Sequence, residues 1–231
     1  MFERAHHRRI ATVLEALDAD CLRANACLFG GGTAMTLRHG EYRESVDIDF
    51  LVSSVDGYRQ LRQRLTGTTG VQALARPGKT LGPVREPRAD QYGVRTMLRV
   101  DGVDIKFEMV LEGRMVLDAP GVDDRVCGVA TLTPLDMVAS KLLANSDRWR
   151  DDAVHSRDLI DLAMMAPPRP LLRQAITKAA AAYGDSVQAD LVKAIADLRA
   201  RPHRLDGCMQ ALGMQAVSKA QLWARIRKLA P

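Results

Sequence analysis

Between Arg43 and Val52 the chain reads RESVDIDFLV, and this segment restricts the fold more than any other. Side chains alternate faces along a β-strand. Read as one strand over 43–52, the segment places Val46, Ile48, Phe50 and Val52 on an apolar face. Arg43, Ser45, Asp47 and Asp49 share the opposite face. An apolar face must pack on a core, so the segment belongs in a sheet covered on one side. The two carboxylates on the other side repel each other unless a counter-charge sits beside them. Mg²⁺ suits that place, because it is a hard cation held by one or two carboxylates together with phosphate oxygens. A D-x-D pair alone is equally compatible with a solvated surface strand.

The residues just upstream add a second signal. ACLFG at 26–30 reads as a short apolar strand, and Gly30, Gly31 and Gly32 lead from it into a short helix, TAMTLRHG, which Gly40 can end. Gly31 and Gly32 allow close backbone approach, and Thr33 stands where the helix begins. Free amides and the positive helix end attract phosphate. The glycines also fit a plain strand-to-helix turn that needs their dihedral freedom. A glycine-rich helix start followed closely by D-x-D on a strand is more specific than either half.

Around this centre, a helix is expected over 2–24, another over 57–65, and a mobile basic loop over 76–90. Residues 92–100 and 103–111 form two strands joined by Asp101-Gly102, a strong hairpin signal. Shorter strands are expected at 114–117 and 126–131. Thr133 as N-cap, Pro134 and Asp136 mark a helix start. PPRP at 167–170 reads as a linker, with helices beyond it over 170–183, 186–200 and 215–229. The Gly78-Lys79-Thr80 triplet is not a phosphate-binding P-loop, because Ala73 stands where that motif needs glycine.

Composition narrows the function. Aromatic residues are only 4% of the 231, too few for a run of base-stacking platforms. There is no apolar run of membrane-spanning length and no secretory signal pattern, so a cytoplasmic protein without membrane partners is expected. The four cysteines are dispersed and the histidines unclustered, which suits reduced thiols and excludes a zinc site. Residues 167–231 hold 11 Lys/Arg against 4 Asp/Glu, whereas residues 1–166 hold 22 against 24. A basic C-terminal region beside an acidic one suits a polyanionic partner, or a solvated basic surface.

GGTAM…RESVDIDF resembles the signature of nucleotidyltransferase-fold toxins of the AbiEii/AbiGii (MenA-like) family, within the DNA polymerase beta superfamily. The resemblance covers about residues 25–165. It implies an α+β fold, with a nucleotidyltransferase-type mixed sheet flanked by helices and a C-terminal helical region. Residues 1–132 would be the catalytic domain. Residues 133–231 would be helical, with 133–166 completing the nucleotide site and 167–231 forming basic helices.

The same resemblance extends the site. VDIKFEMVL (103–111) puts Asp104, Lys106 and Glu108 on one strand face. The family pattern there is Lys-x-Asp, so the departure Lys106-x-Glu108 makes Glu108 the expected third metal ligand or general base, with Asp104 as the alternative. Lys106 would steady the carboxylates or the transferring phosphate, or form a plain cross-strand ion pair. Lys141, in ASKLLA, matches a family lysine that holds phosphates, although composition alone would leave it solvated. SRDLIDLAMM resembles the closing R-D-x-x-D-L motif, which makes Asp158 functional and Arg148 or Arg157 phosphate contacts. The plainer reading of that segment is a helix capped by Ser156 and laced by ion pairs.

The expectation is a nucleotidyltransferase that moves a nucleoside monophosphate from an NTP to an acceptor hydroxyl. Two Mg²⁺ ions would lie on Asp47, Asp49 and Glu108. Gly31, Gly32, Thr33, Arg43, Ser45, Lys141 and Asp158 would bind the nucleotide. The resemblance implies an RNA acceptor such as a tRNA 3′ end, a toxin role and a cognate antitoxin. The alternatives are nucleotidylation of a small molecule or a protein, and a nucleotide-binding module without turnover.

Overall fold

The computed structural model describes residues 2–230. The chain forms two compact units. One comprises the chain through Arg38 together with Ser45–Thr133, and the other comprises His39–Glu44 with the chain from Pro134 onward.

The first unit opens with α1 (Ala5–Ala16) and α2 (Ala19–Ala24), where a single helix was expected. Asp18 causes the break: it leaves helical dihedrals, and its carboxylate accepts the Cys21 N–H as the N-cap of α2. Then follow β1 (Cys27–Phe29), α3 (Gly31–Arg38), β2 (Ile48–Val52), α4 (Val55–Leu65) and a 3₁₀ turn over Gly70–Leu74. The unit continues with β3 (Arg88–Ala89), β4 (Gly93–Val100) and β5 (Val103–Leu111). It ends in a small hairpin of β6 (Arg125–Val126) and β7 (Val129–Ala130). No strand forms at 114–117.

Five of these strands make one mixed sheet, ordered β1-β2-β5-β4-β3. β2 runs parallel to β5, and the other pairs are antiparallel. Phe29, Phe50 and Phe107, from three neighbouring strands, stack at centroid distances of 5.5 and 5.6 Å. This aromatic ladder, with Ile48, Val52, Ile105 and Met109 fully buried beside it, forms the apolar side of the sheet. The alternation expected over 43–52 holds only from Ile48. Val46 is 48% exposed and Arg43 is buried, because the backbone before Ile48 lies outside the ladder.

The second unit is helical: α5 (Pro134–Arg148), a 3₁₀ turn at Asp152–Val154, α6 (Arg157–Met165), α7 (Arg169–Tyr183), α8 (Ser186–Ala200), α9 (Arg204–Ala211) and α10 (Lys219–Lys228). α5 packs against α6, α7 and α8, and α10 packs against α6. PPRP is less a linker than a helix start, since α7 begins at Arg169 with Pro170 in its first turn. α9 was not expected from sequence; it is short and carries Gly207 in its interior. α10 starts on a capping box between Ser218 and Gln221. Ser156 does not cap α6, because it takes left-handed dihedrals and its hydroxyl makes no cap bond. Among the described residues no helix is long and apolar enough to cross a membrane.

Candidate active site

The glycine turn and the D-x-D strand meet in the first unit. Gly30 N–H donates to the Asp49 carbonyl at 2.8 Å, which ties the end of β1 to β2. α3 starts directly at Gly31, earlier than the expected Thr33. Gly31 has φ +66°, and a Cβ built there would lie 2.5 Å from Oδ2 of Asp49. The Asp49 carboxylate therefore rests against a helix start that only glycine leaves open. The first amides of α3 have no partner within the helix, and they stand at its positive end.

Thr33, expected at the phosphate, is buried and acts as a clamp. Its Oγ1 lies 2.5 Å from the Asp47 carbonyl oxygen and 2.8 Å from Ser45 Oγ. A carbonyl can only accept and Thr33 has one hydroxyl proton, so Thr33 donates to Asp47 and accepts from Ser45. At the far end of α3, Arg38 bonds Asp124, Thr131 and the Leu132 carbonyl. The helix is thus pinned at both ends.

Glu108 is the residue opposite Asp49 in the β2–β5 register. Its carboxylate accepts from Lys106 Nζ and from Arg95 Nε, each at 2.5 Å. Burial works to raise the Glu108 pKa, but these two cations hold it below the ordinary carboxylate value. The Lys106 ammonium is held charged chiefly by its bond to Glu108, with Asp49 and Asp47 adding to the effect. The Lys106 charge therefore acts on all three carboxylates, and it bonds Glu108 directly. Asp104 sits four residues earlier on the strand, about 13 Å away at a rise of ~3.3 Å per residue. It is paired with Arg99, so Glu108, and not Asp104, stands level with Asp49.

The hard oxygens of Asp47 and Asp49, beside helix-start amides that have no partner within the helix, fit Mg²⁺ shared with a phosphate chain. Glu108 fits less directly, because Lys106 and Arg95 already hold it. Among the described residues no group of three or more His, Cys, Asp or Glu side chains is arranged to hold a metal ion.

Three other predicted site residues, Arg43, Lys141 and Asp158, lie in the second unit; Arg43 and Lys141 meet at Asp161, and Lys141 also bonds Asp158. Arg43 was expected beside the aspartates on one strand face. Instead its Nε and Nη2 bond the two Asp161 oxygens at 2.7 and 2.9 Å. Tyr42 adds a third bond to Asp161. Lys141, expected to be solvated on composition, is buried and reaches Asp158 at 2.9 Å and Asp161 at 2.8 Å. Arg148 clasps Asp158 with two nitrogens. Burial opposes the charge on Asp161, yet Arg43 and Lys141 hold its carboxyl far below the usual range. Asp158 is likewise held low, by Lys141 and Arg148 against the effect of burial. Asp161 is the hub that sequence reasoning missed, although it is the second aspartate of the R-D-x-x-D-L motif.

The family described as "Nucleotidyl transferase AbiEii toxin, Type IV TA system" matches residues 12–228. The chain belongs to the AbiEii family. It is a nucleotidyltransferase of the toxin–antitoxin class, and the resemblance noted over 25–165 extends through the C-terminal helices. Two crystal structures share the fold at a TM-score of 0.52 and 16% identity. One is of an H. pylori protein assigned to the nucleotidyltransferases, which covers 97% of this chain and 93% of its own. The other is of JHP933 from Helicobacter pylori, at 100% and 94%. No curated relative matches the chain in sequence. The buried ion network of the second unit explains why the R-D-x-x-D-L segment carries charges inside a helical core.

Proposed function

We propose that this AbiEii protein transfers a nucleoside monophosphate from an NTP to a hydroxyl of RNA, such as a tRNA 3′ end, in a Mg²⁺-dependent reaction. The observation that carries the reading is the Asp49 carboxylate seated against Gly31 at the start of α3. It brings a metal-binding oxygen and a phosphate-binding helix start to one place. Asp47, Asp49 and Glu108 would hold Mg²⁺, which when bound neutralises charge on the triphosphate and on the attacking oxygen. The amides of Gly31 and Gly32 orient the triphosphate, while Thr33 and Ser45 fix the backbone that carries Asp47. Lys106 faces the carboxylate group and supplies positive charge where phosphate oxygens gain negative charge. In the second unit, Lys141 gives two of its three N–H donors to Asp158 and Asp161. The assignment of Lys141 to phosphate, and of Arg43 and Asp158 to the nucleotide, rests on the family resemblance. Support for an RNA acceptor comes from the excess of basic residues over 167–231. The toxin–antitoxin class supports a cognate antitoxin and a cytoplasmic setting.

Purified protein incubated with α-labelled NTPs, Mg²⁺ and separate pools of total RNA, protein and metabolites tests this. Label is expected in the RNA pool. Label confined to protein or metabolites would overturn the acceptor assignment.

A further inference from the structure

We propose that His6 and His7 are positioning residues that hold the backbone leading into the catalytic strand. The proposal rests on the reading that Asp47 and Asp49 are the catalytic pair. Residues 45–47 precede β2 and take no part in its ladder, so their backbone groups need other partners. Adjacent histidines in the first turn of α1 supply them. Ser45 N–H lies 3.2 Å from Nε2 of His7, and Nε2 of His6 lies 3.0 Å from the Val46 carbonyl oxygen. A backbone amide can only donate and a carbonyl can only accept, which sets both rings. Nε2 of His7 is therefore without a proton, and Nε2 of His6 carries one.

The two rings thus grip two consecutive residues, one as acceptor and one as donor. On the other side, α3 holds the same segment through Thr33, which bonds Ser45 and the Asp47 carbonyl. Apolar packing does not fix this stretch, because Val46 points to solvent. Hydrogen bonds from α1 and α3 do. His7 is 0% exposed, so water cannot readily take its place as acceptor. Asp47 follows directly, and the placement of its carboxylate depends on the backbone the histidines hold. A displacement of ~1 Å at a reacting centre is worth about 100-fold in rate.

The test compares His7→Leu, which keeps bulk but removes the acceptor, with His7→Gln, whose amide oxygen can accept from Ser45. The readout is transfer of α-label from NTP to whichever RNA, protein or metabolite pool takes it, with thermal unfolding as the check on folding. His7→Leu is expected to lower kcat about 10- to 100-fold with the KM for NTP little changed. His7→Gln should recover most of that loss, and His6→Ala should cause a smaller one. Thr33→Val grips the segment from the opposite side, so its effect and that of His7→Leu should be non-additive. A folded His7→Leu with unchanged kcat, equal losses in Leu and Gln, or strict additivity with Thr33→Val would overturn the proposal. Where His7→Leu does not fold, His7→Gln and His6→Ala decide: full loss in Gln, or none in His6→Ala, counts against it. Asp47→Asn in the same assay separates the two readings. Activity that survives Asp47→Asn removes the site assignment itself, whereas a dead Asp47→Asn with normal histidine variants removes only the positioning role.

Discussion

A single added methyl group probes the closest contact in the site. Gly31→Ala places a Cβ 2.5 Å from Oδ2 of Asp49 at φ +66°. Both the dihedral and the clash oppose it, so stability should fall by at least about 1 kcal/mol. Transfer should fall further than stability, because the carboxylate must move; thermal melting and label transfer on the same preparation measure both. Asp161 offers a residue-scale test of the second unit. Replacing it with Asn leaves Arg43 buried without its counter-charge and takes from Lys141 one of its two carboxylate partners, which costs about 3–5 kcal/mol. The sign with pH follows from its depressed folded pKa. Its contribution is complete above the unfolded carboxylate value of ~3.9 and is lost as pH falls through the folded value. The penalty of Asp161→Asn in urea unfolding should therefore be largest near neutral pH and shrink in acid; a penalty constant across pH would contradict the ion network. At this scale the meeting of Asp49 with Glu108 and the glycine turn was legible in the sequence, because these residues are close in the chain or sit in patterned strands. The sequence hid Asp161, His6 and His7, whose partners are 118, 40 and 38 residues away.

At the scale of elements, β5 shows what a period-2 pattern can predict. Asp101-Gly102 closes the β4–β5 hairpin as expected, and Glu108 faces the site because the alternation over 103–111 holds throughout. β2 shows the limit of the same pattern. The alternation in the sequence continues upstream of Ile48, but the ladder does not: pairing with β5 begins at Ile48 opposite Phe107, although β5 itself runs back to Val103. Side chains from α1 and α3 take over there, and such long-range bonds leave no periodic trace. The Lys106–Glu108 pair on β5 gives an element-level prediction. Lys106 is 44% exposed in its side chain, so Lys106→Met should change stability by less than about 1 kcal/mol. Transfer should nonetheless fall by about 10- to 100-fold, because a positive charge that acts on all three carboxylates is gone. Unchanged transfer would leave Lys106 as a plain strand ion pair.

For the whole molecule, class and family were legible, as α+β order and the GGTAM…RESVDIDF signature both survive in the structure. The assignment of His39–Glu44 to the helical unit was not, because it depends on Arg43 and Tyr42 reaching Asp161. The charge excess over 167–231 carries a prediction of its own. Transfer to RNA should weaken steeply between about 50 and 200 mM salt as phosphate contacts are screened, while NTP binding changes less. A flat salt profile would point to a small acceptor.

The most direct measurement of the central claim is label transfer from α-labelled NTP by folded Asp47→Asn and Asp49→Asn variants beside the native protein. These changes keep shape and remove charge. Each is expected to lower transfer by about 100- to 1,000-fold with the fold intact. Transfer at the native rate in both would contradict the assignment of the D-x-D strand as the site of nucleotidyl transfer.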